Sequence, residues 1–270
     1  MLEKLKFIIG PDGVRDTGQM REVLTFAQEN GVDELRGGIV KPRSTPFNWV
    51  GVGIKKGAAI INESLRDFNG SFTLETWSRN DTLQFLRKTR KINTTINIQI
   101  GARTGPGNLL GEIGQVVADA NSQSKLVVKN SMTPGAIHFV SRVQWALEAL
   151  PTNRVLAIAR GVDPENDLQR FTTNLKDLLV LREKFPGLTL LVDISHMAGI
   201  SAENVLNLGQ LVIAWNNRIF DKSGIRPMDG FMFETDPNIE AALCDRDQLL
   251  TFKQAENFIH TARTQMKGFT

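Results

Sequence analysis

The chain has 270 residues, of which 41% are hydrophobic and 23% charged, and its formal net charge is +3. This is the composition of a globular protein with a sizeable core, and no apolar stretch reaches the length of a membrane span, which excludes a membrane partner. The basic residues are spread along the chain rather than gathered in tails or runs, so the positive charge favours a small anionic substrate over nucleic acid.

The start of the chain and its cysteine content both bear on the cellular compartment. Residues 1–6 lead directly into the first apolar run and lack the layout of a signal peptide. Cys244 is the single cysteine, which excludes an intrachain disulfide. Both features predict a protein of the reducing cytoplasm.

Short apolar runs alternate with stretches of helical period along the sequence. Strands are predicted at 6–10, 33–40, 71–76, 96–100, 125–128, 154–159, 188–193 and 229–234, of which 33–40 has the weakest pattern. Helices are clearest at 16–30, 53–67, 165–185 and 248–266. The polar segment 217–228 is predicted to be a surface or oligomer-contact loop on the face opposite the active site. Eight strand–helix units predict an α/β fold, a single (β/α)8 TIM barrel that forms one catalytic domain over residues 1–270.

Basic side chains follow several predicted strands at the point where each strand ends. These residues are Arg36, Lys41, Arg43, Arg103, Lys129 and Arg160. In (β/α)8 barrels the active site lies at this end of the strands, and guanidinium and ammonium groups suit phosphate or carboxylate. Ser44 adds a hydroxyl donor, and Gly37 and Gly38 allow close backbone approach.

Two interpretations of these cations stay open. They line a pocket for an anionic substrate, or they form internal salt bridges with barrel carboxylates such as Glu75. A charge beside a buried strand is costly unless it is paired, so a single case favours neither interpretation. Because successive strands repeat the pattern, the sequence favours the anion pocket.

One histidine and two carboxylates occupy similar positions. His196 comes just after the predicted strand 188–193, whereas His138 and His260 fall inside helical stretches. Glu234 ends the last strand and Asp245 lies in the loop that follows. An imidazole with two carboxylates is a ligand set for Mn²⁺, Fe²⁺ or Zn²⁺, and a hydrogen-bonded network without metal is the alternative.

Taken in order, these segments resemble the superfamily of class I 3-deoxy-heptulosonate-phosphate (DAHP) synthases and 3-deoxy-octulosonate-phosphate synthases. The resemblance covers nearly the whole chain. The matching pieces are Gly10-Pro11, Arg36-Gly37-Gly38, Lys41-Pro42-Arg43-Ser44, Ile100-Gly101-Ala102-Arg103, Lys129, Arg160-Gly161, Asp193, Ser195-His196, Glu234 and Asp245. The Lys-Pro-Arg-Ser segment is similar to the heptulosonate branch, since the octulosonate branch typically has a Lys-Ala-Asn-Arg-Ser type of loop there.

The resemblance implies an aldol-like condensation of phosphoenolpyruvate with erythrose 4-phosphate, the first step of the shikimate pathway toward aromatic amino acids. By this resemblance, phosphoenolpyruvate is held by Arg103, Lys129 and Arg160. Lys41 is implied as proton donor and, with Arg36, as a substrate-binding residue. The resemblance also implies contacts of Arg43 and Ser44 with the aldose phosphate, a divalent metal on His196, Glu234 and Asp245, and a homodimer or homotetramer.

One position departs from the family pattern. The family motif after the first strand is Gly-Pro-Cys-Ser, whose cysteine is a metal ligand, whereas this chain has Gly10-Pro11-Asp12-Gly13. Asp12 would give a set of one imidazole and three carboxylates, which favours Mn²⁺ or Mg²⁺ over softer metals. Metal independence is a second possibility, because metal-independent octulosonate relatives carry Asn at this position. Cys244 neighbours Asp245 but is displaced from the usual ligand position, and we do not assign it as the missing ligand.

The departure at Asp12 keeps other functions open. These are a related barrel with another aldehyde substrate, a barrel that has lost the usual activity, and a non-catalytic phosphosugar-binding protein. A Schiff-base aldolase that uses Lys129 is a further alternative, since nearby arginines lower the pKa of a lysine.

Overall fold

A computed structural model describes residues 4–41, 49–104, 107–164, 173–198 and 201–269. Its parallel strands form a closed barrel in which each strand pairs with the next and the last pairs with the first. The strands are β1 (Lys6–Gly10), β2 (Glu34–Arg36), β3 (Ser71–Thr76), β4 (Thr95–Ile100), β5 (Leu126–Lys129), β6 (Val155–Ala159), β7 (Thr189–Asp193) and β8 (Gly230–Glu234). The predicted (β/α)8 TIM barrel is therefore confirmed.

Helices surround the barrel and connect successive strands. They are α1 (Thr17–Glu29), α2 (Gly53–Ser64), α3 (Arg79–Thr89), α4 (Gly107–Ala120), α5 (Ala136–Ala149), α6 (Lys176–Lys184), α7 (Ile194–Ala198), α8 (Ala202–Ser223) and α9 (Phe252–Gln265). Short 3-10 helices lie at Thr152–Arg154, Ile239–Ala241 and Arg246–Gln248. Across the described ranges, no helix combines the length and apolar character that a bilayer crossing requires.

Helix boundaries follow local side-chain chemistry. Asp16, Ser78 and Ser201 each accept a hydrogen bond from a backbone N–H in the first turn of α1, α3 and α8. Thr251 forms a reciprocal capping box with Gln254 at the start of α9. These caps satisfy N–H groups that have no partner within the helix.

Apolar side chains fill two layers. A small cluster inside the barrel consists of Ile8, Val127, Leu156, Ile158, Leu191 and Met232. A larger cluster packs the outer face of the strands against the helices. Both faces of the strands are thus buried, which explains why the strands read as continuous apolar runs rather than as alternating ones.

Three predicted boundaries differ from the structure. The expected strand 33–40 is shorter, because β2 ends at Arg36 and Gly38 pairs only as an isolated bridge with Gly13. Helix α2 ends three residues before the predicted residue 67. Helix α9 starts at Phe252 rather than at 248, because the Thr251 capping box sets its first turn.

The prediction of a loop at 217–228 is wrong for its first half. Residues 217–223 belong to α8, which continues to Ser223 and ends where Gly224 adopts a left-handed conformation with φ of +68°. Val212, Ile213 and Asn216 are buried just before this segment, and Ile219 and Phe220 within it are half-buried, so the helix continues until Gly224. Within the predicted helix 165–185 the structure has α6 at Lys176–Lys184, and residues 165–172 lie outside the described residues.

Adding a methyl group at either of two glycines in α4 is expected to change the stability of the protein in opposite directions. At Gly114 a Cβ atom would lie 2.7 Å from the Cβ of Ala149 in α5, whereas at Gly111 its nearest neighbour is Trp145 at 3.5 Å. We expect G114A to lower the free energy of unfolding by about 1–3 kcal/mol through overpacking. We expect G111A to raise it by up to about 1 kcal/mol through helix propensity. Urea unfolding of both variants measures this, and equal shifts would contradict the close approach of α4 and α5.

Candidate functional site

The carboxyl ends of all eight strands bring polar side chains to one mouth of the barrel. These residues are Asp12 after β1, Arg36 ending β2, Glu75 in β3, Arg103 after β4, Lys129 ending β5, Arg160 after β6, Asp193 ending β7 and Glu234 ending β8. In a parallel barrel these ends lie on the same face, so residues far apart in sequence become neighbours.

A small cavity of about 40 Å³ opens at this mouth. Its lining consists of Lys41, Glu75, Gly101, Ala102, Arg103, Lys129, Arg160, His196 and Asp245. Four cationic side chains thus face one space, together with the predicted histidine. Arg43 and Ser44, which were predicted to bind the aldose phosphate, lie outside the described residues.

Two glycines of the motifs make room at this mouth. Gly10 has φ of +146°, and a Cβ atom there would lie 2.2 Å from the carbonyl oxygen of Arg36. At Gly101 a Cβ would lie 1.9 Å from Oε1 of Glu75. A side chain at Gly101 would displace Glu75, which lines the cavity, and a side chain at Gly10 would displace the backbone at the end of β2.

Asp12 and Glu234 share Arg36 in a buried ion-pair network. The Arg36 guanidinium donates to Oε1 of Glu234 and, at 3.3 Å, to Oδ1 of Asp12, which also accepts from the Lys41 ammonium. Although burial alone would raise the pKa of Asp12, the Lys41 and Arg36 cations hold it well below its usual range. Arg36 is absent from the cavity lining, which favours a role in holding carboxylates over direct contact with substrate.

A second network centres on Asp193. Its Oδ2 accepts from the Lys129 ammonium at 2.6 Å and lies 2.8 Å from Nδ1 of His196, whose backbone N–H donates to Oδ1 at 3.0 Å. The other ring nitrogen of His196 lies 3.5 Å from Oε1 of Glu234. Burial opposes the charge of Asp193, but His196 and Lys129 outweigh burial and hold its pKa well below the usual value. Asp193 thereby fixes the orientation of the imidazole ring.

Four residues fit a divalent cation. Asp12, His196, Glu234 and Asp245 each offer one ligand atom, and these atoms lie within 4.8 Å of one another. Oδ2 of Asp12 is buried and accepts no hydrogen bond from any described residue, so it is available as a ligand atom. Three carboxylates and one imidazole form a hard donor set, which suits Mn²⁺ or Mg²⁺.

Burial and the charges within this cluster affect the pKa of its members. Burial raises the pKa of Glu234, outweighing the nearby His196 and Arg36. Within the cluster the carboxylates repel one another, and a cation would relieve this repulsion. Gln248 donates to Oε2 of Glu234 at 2.7 Å and holds that carboxylate in place.

Cys244 lies beside the cluster but not in it. Its Sγ atom lies 3.2 Å from the point that a Cβ of Gly13 would occupy. Burial, which raises the pKa of Asp12, and nearby charges such as Lys41, which lower it, have the larger effects, and a hydrogen bond with the thiol lowers this pKa further. It is not among the four residues whose ligand atoms lie close together. This agrees with leaving Cys244 out of the ligand set.

Both interpretations of the strand-end cations hold in part. Arg36, Lys41 and Lys129 are buried and paired with carboxylates, although their partners are not Glu75. Arg103 is exposed at the cavity and forms no ion pair with any residue that the structure describes. The cavity therefore keeps cationic groups facing an incoming anion.

Sequence reasoning named Asp193 only as part of a motif and missed Gln248 and Arg142 as contributors to the site. A carboxylate three residues before a histidine was a usable signal for Asp193, because that spacing lets it cap the histidine backbone and bond the ring. Nothing in the local sequence marks Gln248 or Arg142, since their partners come from distant segments.

The depressed pKa of Asp193 predicts acid sensitivity. In the unfolded chain this carboxyl takes up its proton near pH 4, and in the folded chain only at lower pH, so its contribution to stability is present above about pH 4 and lost below it. We expect the urea midpoint of the protein to fall more steeply between about pH 5 and pH 3 than that of D193N. D33N, which removes an exposed carboxylate, serves as the control and should follow the parent protein. Parallel curves for D193N and the parent would contradict the prediction.

Comparisons with known proteins agree with this geometry. The phospho-2-dehydro-3-deoxyheptonate aldolase of Thermotoga maritima is 27% identical over 247 residues, which cover 91% of this chain and 65% of that protein. The chain thus spans about two thirds of the length of this curated relative.

Solved structures show the same fold. A crystal structure of the Thermotoga maritima DAHP synthase superposes with a TM-score of 0.78 at 23% identity, covering 97% of this chain and 69% of that one. A truncated form of 3-deoxy-D-arabino-heptulosonate 7-phosphate synthase from the same organism gives a TM-score of 0.75 at 22% identity, covering 97% and 86%. The sequence profile of the DAHP synthetase I family matches residues 3–268, nearly the whole chain. The chain belongs to the DAHP synthetase I family.

Proposed function

We propose that this chain condenses phosphoenolpyruvate with an aldose phosphate, with erythrose 4-phosphate as the aldehyde, to give 3-deoxy-heptulosonate 7-phosphate and phosphate. This would be the first step of the shikimate pathway toward aromatic amino acids. One observation carries the proposal: four cationic side chains line one cavity, and His196 and Asp245 of the four-residue cluster of metal-ligand type line it with them. Family membership supports the reaction type.

Phosphoenolpyruvate carries a phosphate and a carboxylate, and the cavity offers cations for both. Arg103, Lys129 and Arg160 lie on successive strand ends around the same space. Guanidinium groups bind such planar or tetrahedral anions through paired N–H donors. Holding two anions in one orientation would supply much of the rate, because it converts a bimolecular encounter into a step within one complex.

Lys41 is the proposed proton donor. It lines the cavity and contacts Asp12, and although burial opposes its charge, Asp12 and Glu75 raise its pKa. An ammonium held in this way keeps its proton until charge develops on the aldehyde oxygen. Arg43 and Ser44 are proposed to contact the aldose phosphate, on the strength of the family resemblance alone.

The proposed reaction balances without an oxidant. Carbon 3 of phosphoenolpyruvate forms a bond to the aldehyde carbon, and the aldehyde oxygen takes a proton, for which Lys41 is the candidate donor. Water adds at carbon 2, the bond from carbon 2 to the phosphate oxygen breaks, and the ketone forms; of the two water protons, one restores the proton donor and the other leaves with the phosphate. Asp12, His196, Glu234 and Asp245 would hold a divalent metal, Mn²⁺ by preference, which acts as a Lewis acid on the aldehyde or positions the water.

Two alternatives are separated by specific contacts. The pairing of Arg36 with Glu234 and of Lys41 with Asp12 neutralises two carboxylates without a metal ion, which favours the same reaction without metal as the second candidate. A Schiff-base mechanism is less well supported, because the Lys129 ammonium pairs with Asp193 at 2.6 Å and an ion-paired ammonium is not a nucleophile. We also propose that residues 1–270 form the catalytic unit. The expected homodimer or homotetramer remains a prediction.

The first test is turnover by metal-stripped protein. Phosphoenolpyruvate and erythrose 4-phosphate are supplied with and without Mn²⁺, and phosphate release is followed. We expect turnover that depends on Mn²⁺, because the hard donor set suits this ion. Equal turnover without metal would keep the reaction and remove the metal assignment, whereas no turnover by folded protein would overturn the proposed substrates.

The metal assignment of Asp12 is tested by binding rather than by activity. D12N removes one charge and one hard ligand atom, and we expect Mn²⁺ affinity, measured by the paramagnetic resonance of free Mn²⁺, to fall by about tenfold or more. E240Q serves as the matched control, because Glu240 is an exposed carboxylate paired with Arg246 and lies outside the cluster. Unchanged affinity in D12N would show that Asp12 is not a ligand.

A further inference from the structure

Arg142 is a buried cation that no part of the proposed reaction uses. It lies in α5 and is 8% exposed. Its guanidinium donates to three backbone carbonyls: Nε to Lys129 at 2.9 Å, Nη1 to Thr104 at 3.0 Å and Nη2 to Gly101 at 2.9 Å. No carboxylate lies within ion-pair distance among the residues that the structure describes. Burial lowers the pKa of Arg142 to about 10, as expected for a cation without a counter-charge.

The three acceptors belong to two different strand ends. Gly101 and Thr104 begin and end the turn that follows β4 and carries Arg103, and the Thr104 N–H also donates to the Gly101 carbonyl at 3.2 Å. Lys129 is the last residue of β5. Gly101, Arg103 and Lys129 all line the cavity, so Arg142 lies one peptide unit behind its wall.

We propose that Arg142 is a positioning residue for anion binding: it ties the Gly101–Thr104 turn to the end of β5 and so holds Arg103 and Lys129 at a fixed separation. This inference rests on the proposed function for the identity of the anion. No ion pair with a described residue holds the Arg103 side chain. The position of its guanidinium therefore depends on the backbone of the Gly101–Thr104 turn. The uncompensated charge of Arg142 also adds to the positive potential of the cavity.

Arginine is suited to this task for geometric reasons. Its planar group directs N–H donors along several fixed directions, and three of them are used here. Lysine would keep the charge but present a single ammonium that cannot span the three carbonyls. Glutamine would remove the buried charge and still donate to one carbonyl, so R142Q is expected to fold even if R142K does not.

The chain offers a matched control. Arg154, in the short 3-10 helix before β6, also donates to three backbone carbonyls: Ser124, Val117 and Asn121 at 2.9, 3.0 and 2.6 Å. These acceptors lie at the amino-terminal side of the barrel, away from the cavity. R154K therefore removes a similar set of hydrogen bonds without touching the anion site.

The test combines hydrogen exchange with kinetics on the full chain. In R142K and R142Q we expect faster amide exchange in segments 101–104 and 129–132, and a KM for phosphoenolpyruvate raised about tenfold, with kcat changed less than KM. R154K should leave exchange in those segments and KM near the values of the parent protein. If either the exchange in those segments or the KM of both Arg142 variants matches that of R154K, the inference is overturned.

The two proposals fail in different ways. If the parent protein neither binds nor turns over phosphoenolpyruvate, the proposed function is overturned. Exchange in segments 101–104 and 129–132 still decides the role of Arg142 in that case, because it needs no ligand. If the parent protein turns over phosphoenolpyruvate but the Arg142 variants keep its KM, only the role of Arg142 is overturned.

Discussion

The site depends on one constraint: a charge that ends a buried strand must find a partner inside the protein. Arg36, Glu234 and Asp193 are each almost fully buried, and an isolated ion in such a place would cost several kcal/mol. The fold meets this constraint by placing carboxylates and cations on neighbouring strand ends. The resulting network fixes the positions of the residues around the cavity before any ligand arrives.

The pairing also sorts the cations by function. Arg36 is enclosed between two carboxylates, whereas Lys41 and Lys129 each contact one carboxylate and also line the cavity. Arg103 is exposed at the mouth. A series from enclosed to exposed cations is what a site needs if it must both hold its own carboxylates and attract a substrate with two anionic groups.

Much of the fold and part of the site could be predicted from the sequence, for physical reasons. Continuous apolar runs mark strands buried on both faces, and the strand ends then point to the mouth, which is how Lys129 and Glu234 were found. Helix boundaries were less predictable: residues 217–223 are mostly polar and are exposed or half-buried, so no apolar stripe marks them as the last turns of α8. Arg142 escaped because its three acceptors are backbone carbonyls, which are the same for every sequence.

The substitution of aspartate for the family cysteine changes more than the ligand atom. Oδ1 of Asp12 already accepts hydrogen bonds from Lys41 and Arg36, so a divalent cation on Oδ2 would share the carboxylate with the ammonium group. A cation bound to Asp12 would draw away the charge that raises the pKa of Lys41, and so make Lys41 a stronger acid. A cysteine thiolate at position 12 would present a soft sulfur instead of carboxylate oxygens, so its negative charge would be divided differently between a bound metal and Lys41. In the proposed site, the residue at position 12 would therefore set both the preferred metal and the acidity of the proposed proton donor.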